Sequence, residues 1–223
     1  MELKFSKESI SFYLKELDSK DTSRSVFYSK GHDYKLQMPI DKKKIFDFES
    51  VTNIILPLDY RYFITEIGNG GAGPNYGLYP FQLDNFGVEP IDWKRSSEVK
   101  ALAKSFPHRD SWNSFEQQPE PTPGMSWFEQ EALNRKWEER LHKTYFNRNL
   151  IDGTIAISDL GCGMGQLLVV TGERKGTVWV DERMDGEGIV ALKDKNREPL
   201  TFSNWYLEWL EDNLKKFGID YTN

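Results

Sequence analysis

Thr154-Ile155-Ala156-Ile157-Ser158-Asp159-Leu160-Gly161-Cys162-Gly163-Met164-Gly165-Gln166-Leu167-Leu168-Val169-Val170-Thr171 decides the fold. An apolar β-rich run enters three alternate glycines and a second apolar run leaves them. If a helix follows the glycines, the unit is a strand, a phosphate- or cofactor-cradling turn and a helix, which belongs to a parallel sheet. If a strand follows, the glycines turn an antiparallel hairpin. Gln166 to Gly172 is short, β-branched toward its end and broken by glycine, so a strand is expected. Thr154 to Asp159, Gln166 to Thr171 and Gly176 to Asp181 then form a meander. Gly172-Glu173-Arg174-Lys175-Gly176 is its second turn, and Ile189 to Leu192 adds a strand.

Asp159-Leu160-Gly161-Cys162-Gly163-Met164-Gly165 resembles the glycine-rich first motif of class I methyltransferases. Asp181, after Val178-Trp179-Val180, stands where an acid would hold the ribose of S-adenosylmethionine. That fold needs several further strand-and-helix units, yet only 58 residues follow Gly165. A circular permutation would have to find them in Met1 to Asn149, which offers few buried β runs. The methyltransferase is kept as a minor alternative.

Outward from the meander the period becomes helical. Toward the C-terminus, Ser203 is expected to cap a helix with Tyr206, Trp209, Leu210, Leu214 and Phe217 inward, closed by Gly218. Upstream, Ser126 and Glu129 form a capping box for a helix from about Trp127 to Phe146, with Phe128, Leu133, Trp137, Leu141 and Tyr145 on one face. Trp93 to Gly124, with Pro107, Pro119, Pro121 and Pro123, suggests an irregular surface excursion.

Ser6 precedes a helix bearing Ile10, Tyr13, Leu14 and Leu17, and Thr22 to Pro39 is expected to be loop with one short strand. A helix from Asp41 turns Ile45, Phe48, Val51 and Ile55 inward and stops before Pro57. Pro57 then opens a helix with Asp59 at its positive end and Tyr60, Phe63, Ile64 and Ile67 as its stripe. Gly68-Asn69-Gly70-Gly71-Ala72-Gly73-Pro74 caps it through a left-handed glycine. The expected class is α+β, a largely antiparallel sheet with helices packed against it.

Composition restricts partners. Lys and Arg number 29 against 35 Asp and Glu, a net charge of −6. The one dense basic run, Lys42-Lys43-Lys44, lies beside Asp41 and Asp47, so nucleic acid is not an expected ligand. No apolar run is long enough for a membrane span, and no export signal is expected at the N-terminus. A single cysteine, Cys162, fits no disulfide framework or multi-cysteine metal site and suits a reducing cytoplasm. His32, His108 and His142 are far apart in sequence. Asp181-Glu182-Arg183-Met184-Asp185-Gly186 fails as a calcium loop, with Arg183 at a ligand position and Leu192 in place of the closing glutamate. No catalytic set, cofactor or metal is expected.

The motif order is similar to that of the SUKH superfamily, the Smi/Knr-type fold. Leu56-Pro57 leads into Asp59-Tyr60 and Phe63, then Gly68-Asn69-Gly70-Gly71, Ile155-Ala156-Ile157, Gly161 to Gly165, Gly176-Thr177-Val178-Trp179, and Thr201-Phe202. The resemblance covers Ile45 to Leu214 and implies one domain over residues 1–223, with an N-terminal extension of about 1–40 and an elaborated insertion of about 92–150. It also implies that Gly161 to Gly165 is a turn between sheet strands. Many bacterial members resemble immunity proteins that bind a toxin domain, often a nuclease or deaminase, and block it. Fungal members are regulatory scaffolds, the alternative function. The implied function is a non-catalytic cytoplasmic binding protein that neutralises a toxin. The chain's own acids supply a candidate contact for a basic partner: Asp181, Glu182, Asp185 and Glu187, grouped at a strand end and loop.

Overall fold

A computed structural model describes residues 4–87 and 90–221. Its centre is one antiparallel meander in the order β1 (Thr154–Gly161), β2 (Met164–Val169), β3 (Val178–Glu182) and β4 (Gly188–Ala191). Met164–Val169 pairs antiparallel with β1, and Gly161 lies opposite Met164. The glycine run is therefore a hairpin, with Cys162 at φ +53° and Gly163 at φ +80°, the two left-handed positions that a tight primed turn requires. The strand–turn–helix of a cofactor loop does not form.

The run Leu167 to Val170 is continuously apolar because both sheet faces are covered. Leu168, Val170 and Val178 join the main core, and Leu167, Val169, Trp179 and Ile189 join a second cluster with Phe106. The main core is built by α1 (Lys7–Lys20), α3 (Lys42–Thr52), α4 (Leu58–Tyr62) and the C-terminal α8 (Phe202–Lys216). Between α1 and α3, Ser29–His32 forms the single turn α2.

Several boundaries depart from expectation. Asn53 takes a left-handed conformation after Thr52, which turns Ile54 and Leu56 inward and leaves Ile55 exposed rather than in the core. Pro57 precedes α4, which continues as a π turn over Phe63–Ile67. The Gly68 N–H reaches Phe63 O there, so Gly68 leaves in extended backbone and Gly70 and Gly71 hold the left-handed positions. Gly71 is needed for a second reason: the backbone of residues 35–37 passes so close that any Cβ would collide. Gly71 bridges both Leu36 and Leu78, and Leu78 bridges Ser158, so this segment covers the β1 edge of the sheet.

The helix α5 (Pro90–Trp93) leads into the stretch read as a surface excursion, and that stretch contains α6 (Ser97–Ala103), with Val99 and Leu102 buried. Phe106 packs on the second sheet face, and Trp112 bridges Ile189 at the β4 edge. Proline and polar residues marked the turns there, while the burial comes from the sheet. The capping box does start α7 (Trp127–Lys143), but only Leu141 is buried within it, and Trp127 and Phe128 are exposed. Ser203 does not cap α8. The Thr201 hydroxyl accepts from Asn204 N at 3.3 Å, and Ser203 N donates to Asp59 Oδ2 at 2.9 Å, so α4 and α8 share one carboxylate.

Candidate functional site

The site starts at the end of α1. Asp21 is fully buried as its C-cap and organises the chain after it. Oδ1 accepts from Ser25 N at 2.7 Å; Oδ2 accepts from Val26 N at 3.1 Å and from the Tyr34 hydroxyl at 2.7 Å. Burial opposes the charge, but those hydrogen bonds outweigh it and hold the Asp21 pKa well below the usual carboxylate range. Arg24 closes the outside, reaching Asp18 at 2.5 Å and Asp33 at 2.6 Å while lying over the Tyr34 ring.

This knot lifts Phe27 and Tyr28 to the surface. Phe27 is 61% exposed, and Tyr28 is exposed with φ +58°, a left-handed conformation that a bulky residue rarely adopts. Both rings meet Tyr76 at centroid distances of 5.1 Å, edge-on. Tyr76 is set by the β1 edge: its N–H donates to Asp159 O, and Asn75 Nδ2 donates to Gln166 Oε1 at 2.6 Å. Beneath Tyr28, His32 is buried against Tyr34 and Trp209, and burial, with help from Arg24, lowers its pKa to about 4.

The β1–β2 turn connects this cluster to the acidic one. A Cβ at Gly161 would lie 3.4 Å from the Tyr76 ring, and one at Gly163 would lie 3.2 Å from Met184. Met184 is 59% exposed and sits in the single turn Arg183–Asp185 between β3 and β4. Phe27, Tyr28, Tyr76, the hairpin tip and Met184 therefore form a contiguous surface that ends on acidic residues.

Of the four acids expected to contact a partner, Asp185 and Glu187 are exposed and Glu182 is half-buried on this β3–β4 connection. Asp181 sits at the same strand end but grips Arg183 through two bonds, Nε to Oδ1 at 2.7 Å and Nη2 to Oδ2 at 2.6 Å. Arg183 is itself buried and donates to Tyr145 O and Asn147 O, fastening the chain after α7 to the sheet. Cys162 is exposed at the hairpin tip.

Sequence reasoning missed the aromatic half of this surface. The available signal was Phe27-Tyr28 in a stretch without helical or alternating period, and Tyr76 after a glycine-rich turn: aromatic residues with no element to bury them. Among the described residues, no group of three or more His, Cys, Asp or Glu side chains is placed to hold a metal ion, and no helix is long and apolar enough to cross a membrane. No family model and no curated protein matches the chain.

Proposed function

We propose that this chain is a non-catalytic binding protein that neutralises a basic toxin domain, a nuclease or deaminase, by direct contact in the cytoplasm. One observation carries the reading: an exposed apolar and aromatic strip, Phe27, Tyr28, Tyr76 and Met184, runs across the hairpin tip into Asp185 and Glu187. Tyrosine anchors dominate binding energy when a partner seals them from water, and rim charges steer encounter. The strip is held ready before contact, because Asp21 and the β1 edge position its rings; preorganisation lowers the entropic cost of association. A toxin groove that holds a phosphate-bearing substrate presents the Lys and Arg that Asp185 and Glu187 complement. Occlusion of that groove is the mechanism. The motif order similar to the SUKH superfamily points the same way.

The test needs a purified basic nuclease or deaminase toxin domain, sought among the reading frames beside that of this chain. Wild type should abolish its activity stoichiometrically. Tyr76→Ala should weaken binding by about 2 kcal/mol or more, mainly through faster dissociation. Asp185→Lys with Glu187→Lys should slow association, most at low salt, where screening is least. A toxin left fully active by saturating protein, or unchanged binding in both variants, refutes the proposal.

A further inference from the structure

We propose that the cavity between the Leu83–Phe86 turn, α6 and β1 binds a free aromatic α-amino acid with a polar group on its ring, of which tyrosine is the simplest. The cavity measures about 410 Å³, a volume suited to one such molecule. Its lining grades from apolar to charged. Tyr60, Phe81, Phe86 and Leu102 are buried, whereas the side chains of Glu98 and Arg148 are 41% and 68% exposed.

Two polar groups in the wall keep hydrogen-bonding capacity that no group among the described residues takes up, and neither atom is sealed off from the cavity. Tyr60 is only 4% exposed, and its hydroxyl has no hydrogen-bond partner among the described residues; burial alone raises its pKa. Tyr206, at a comparable depth, donates to Ala72 O at 3.0 Å. Asp152, with a 7% exposed side chain, accepts at Oδ2 from Lys104 Nζ at 2.9 Å, which leaves Oδ1 without a partner among the described residues. Unpartnered polar atoms that face a largely apolar cavity are available to a ligand and fix its orientation there. A donor from Tyr60 and an acceptor from Asp152 are together the complement of a phenol, which both accepts and donates.

The mouth supplies the other end. Arg148 Nη2 and Glu98 Oε1 stand 3.8 Å apart, longer than a strong charge-assisted bond. Glu98 Oε2 is already fixed by Ser96 at 2.9 Å and Ser97 at 2.8 Å, which leaves Oε1 free to turn outward. An α-amino acid carries its carboxylate and ammonium on one carbon, so it can replace this loose pair with two better ones, carboxylate on Arg148 and ammonium on Glu98. Its ring then enters among Phe81, Phe86 and Tyr60.

Titration calorimetry on the full chain alone, with L-tyrosine, L-phenylalanine and tyramine as probes, tests the site independently of any protein partner. L-tyrosine should bind saturably at one site, with L-phenylalanine about tenfold weaker for want of the phenol. Arg148→Gln should weaken L-tyrosine about tenfold and leave tyramine, which has no carboxylate, unchanged. Tyr60→Phe should melt at or above the wild-type temperature without ligand, because it removes an unpaired hydroxyl, yet lose much of the preference for tyrosine. Absence of saturable binding up to about 1 mM, or binding indifferent to both substitutions, overturns the proposal. So does a Tyr60→Phe protein that melts well below wild type, since the hydroxyl would then already have a partner.

Discussion

Replacing Asp21 with alanine removes the acceptor on which the whole Thr22 to Tyr34 segment is hung. Five donors lose it: the Ser23, Ser29 and Tyr34 hydroxyls and the backbone N–H groups of Ser25 and Val26. Ser29 retains Val26 O at 2.8 Å, and Ser23 and Ser25 are exposed enough for water to serve them. Val26 and Tyr34 are buried, so two donors are stranded at about 1–3 kcal/mol each, and the expected loss is about 3–5 kcal/mol. Asp21→Asn keeps one acceptor oxygen but points an amide NH₂ at donors, and should cost about 2–3 kcal/mol. Urea denaturation at pH 7 reads both. The pH dependence has a definite sign. The folded pKa is depressed, so the contribution of Asp21 is complete above the unfolded value of about 3.9 and is lost as pH falls below it. The gap between wild type and Asp21→Asn should therefore narrow below about pH 4. A gap under about 0.5 kcal/mol at pH 7, or one that persists undiminished at pH 3, would refute this account of the segment.

The remaining expectations concern His32 and the hairpin turn. The His32 pKa falls to about 4 on folding, so stability should be full above its unfolded value near 6.5 and decline by about 2–3 kcal/mol as pH drops toward 4. Denaturation midpoints of wild type and His32→Phe across that window check it, and parallel profiles would show that His32 does not titrate as described. Gly163→Val places a β-branched residue at φ +80° against Met184 and should cost about 2 kcal/mol, against much less for Gly165→Val, where φ is ordinary. Equal urea midpoints for the two variants would contradict the two-residue turn.

Much of the architecture is local and so was legible in the chain. Ser6 with Ile10, Tyr13, Leu14 and Leu17 specifies α1, Ser126 with Glu129 starts α7, and the β-branched runs around Gly161 to Gly165 and Gly172 to Gly176 specify the meander. These features depend on capping chemistry, side-chain period and glycine's freedom at positive φ, all of which act within a few residues. The acids at Asp181, Glu182, Asp185 and Glu187 were visible for the same reason. Their different environments were not, because Asp181 turns inward only once Arg183 is drawn toward Tyr145 O and Asn147 O. Tertiary structure alone placed Phe27 and Tyr28 beside Tyr76, set the hairpin tip between Tyr76 and Met184, and drew Phe106 and Trp112 out of a proline-rich stretch onto the sheet. Exposure belongs to the folded surface: a ring is left in water or buried according to what packs beside it from elsewhere in the chain, and one-dimensional spacing carries no term for that neighbour.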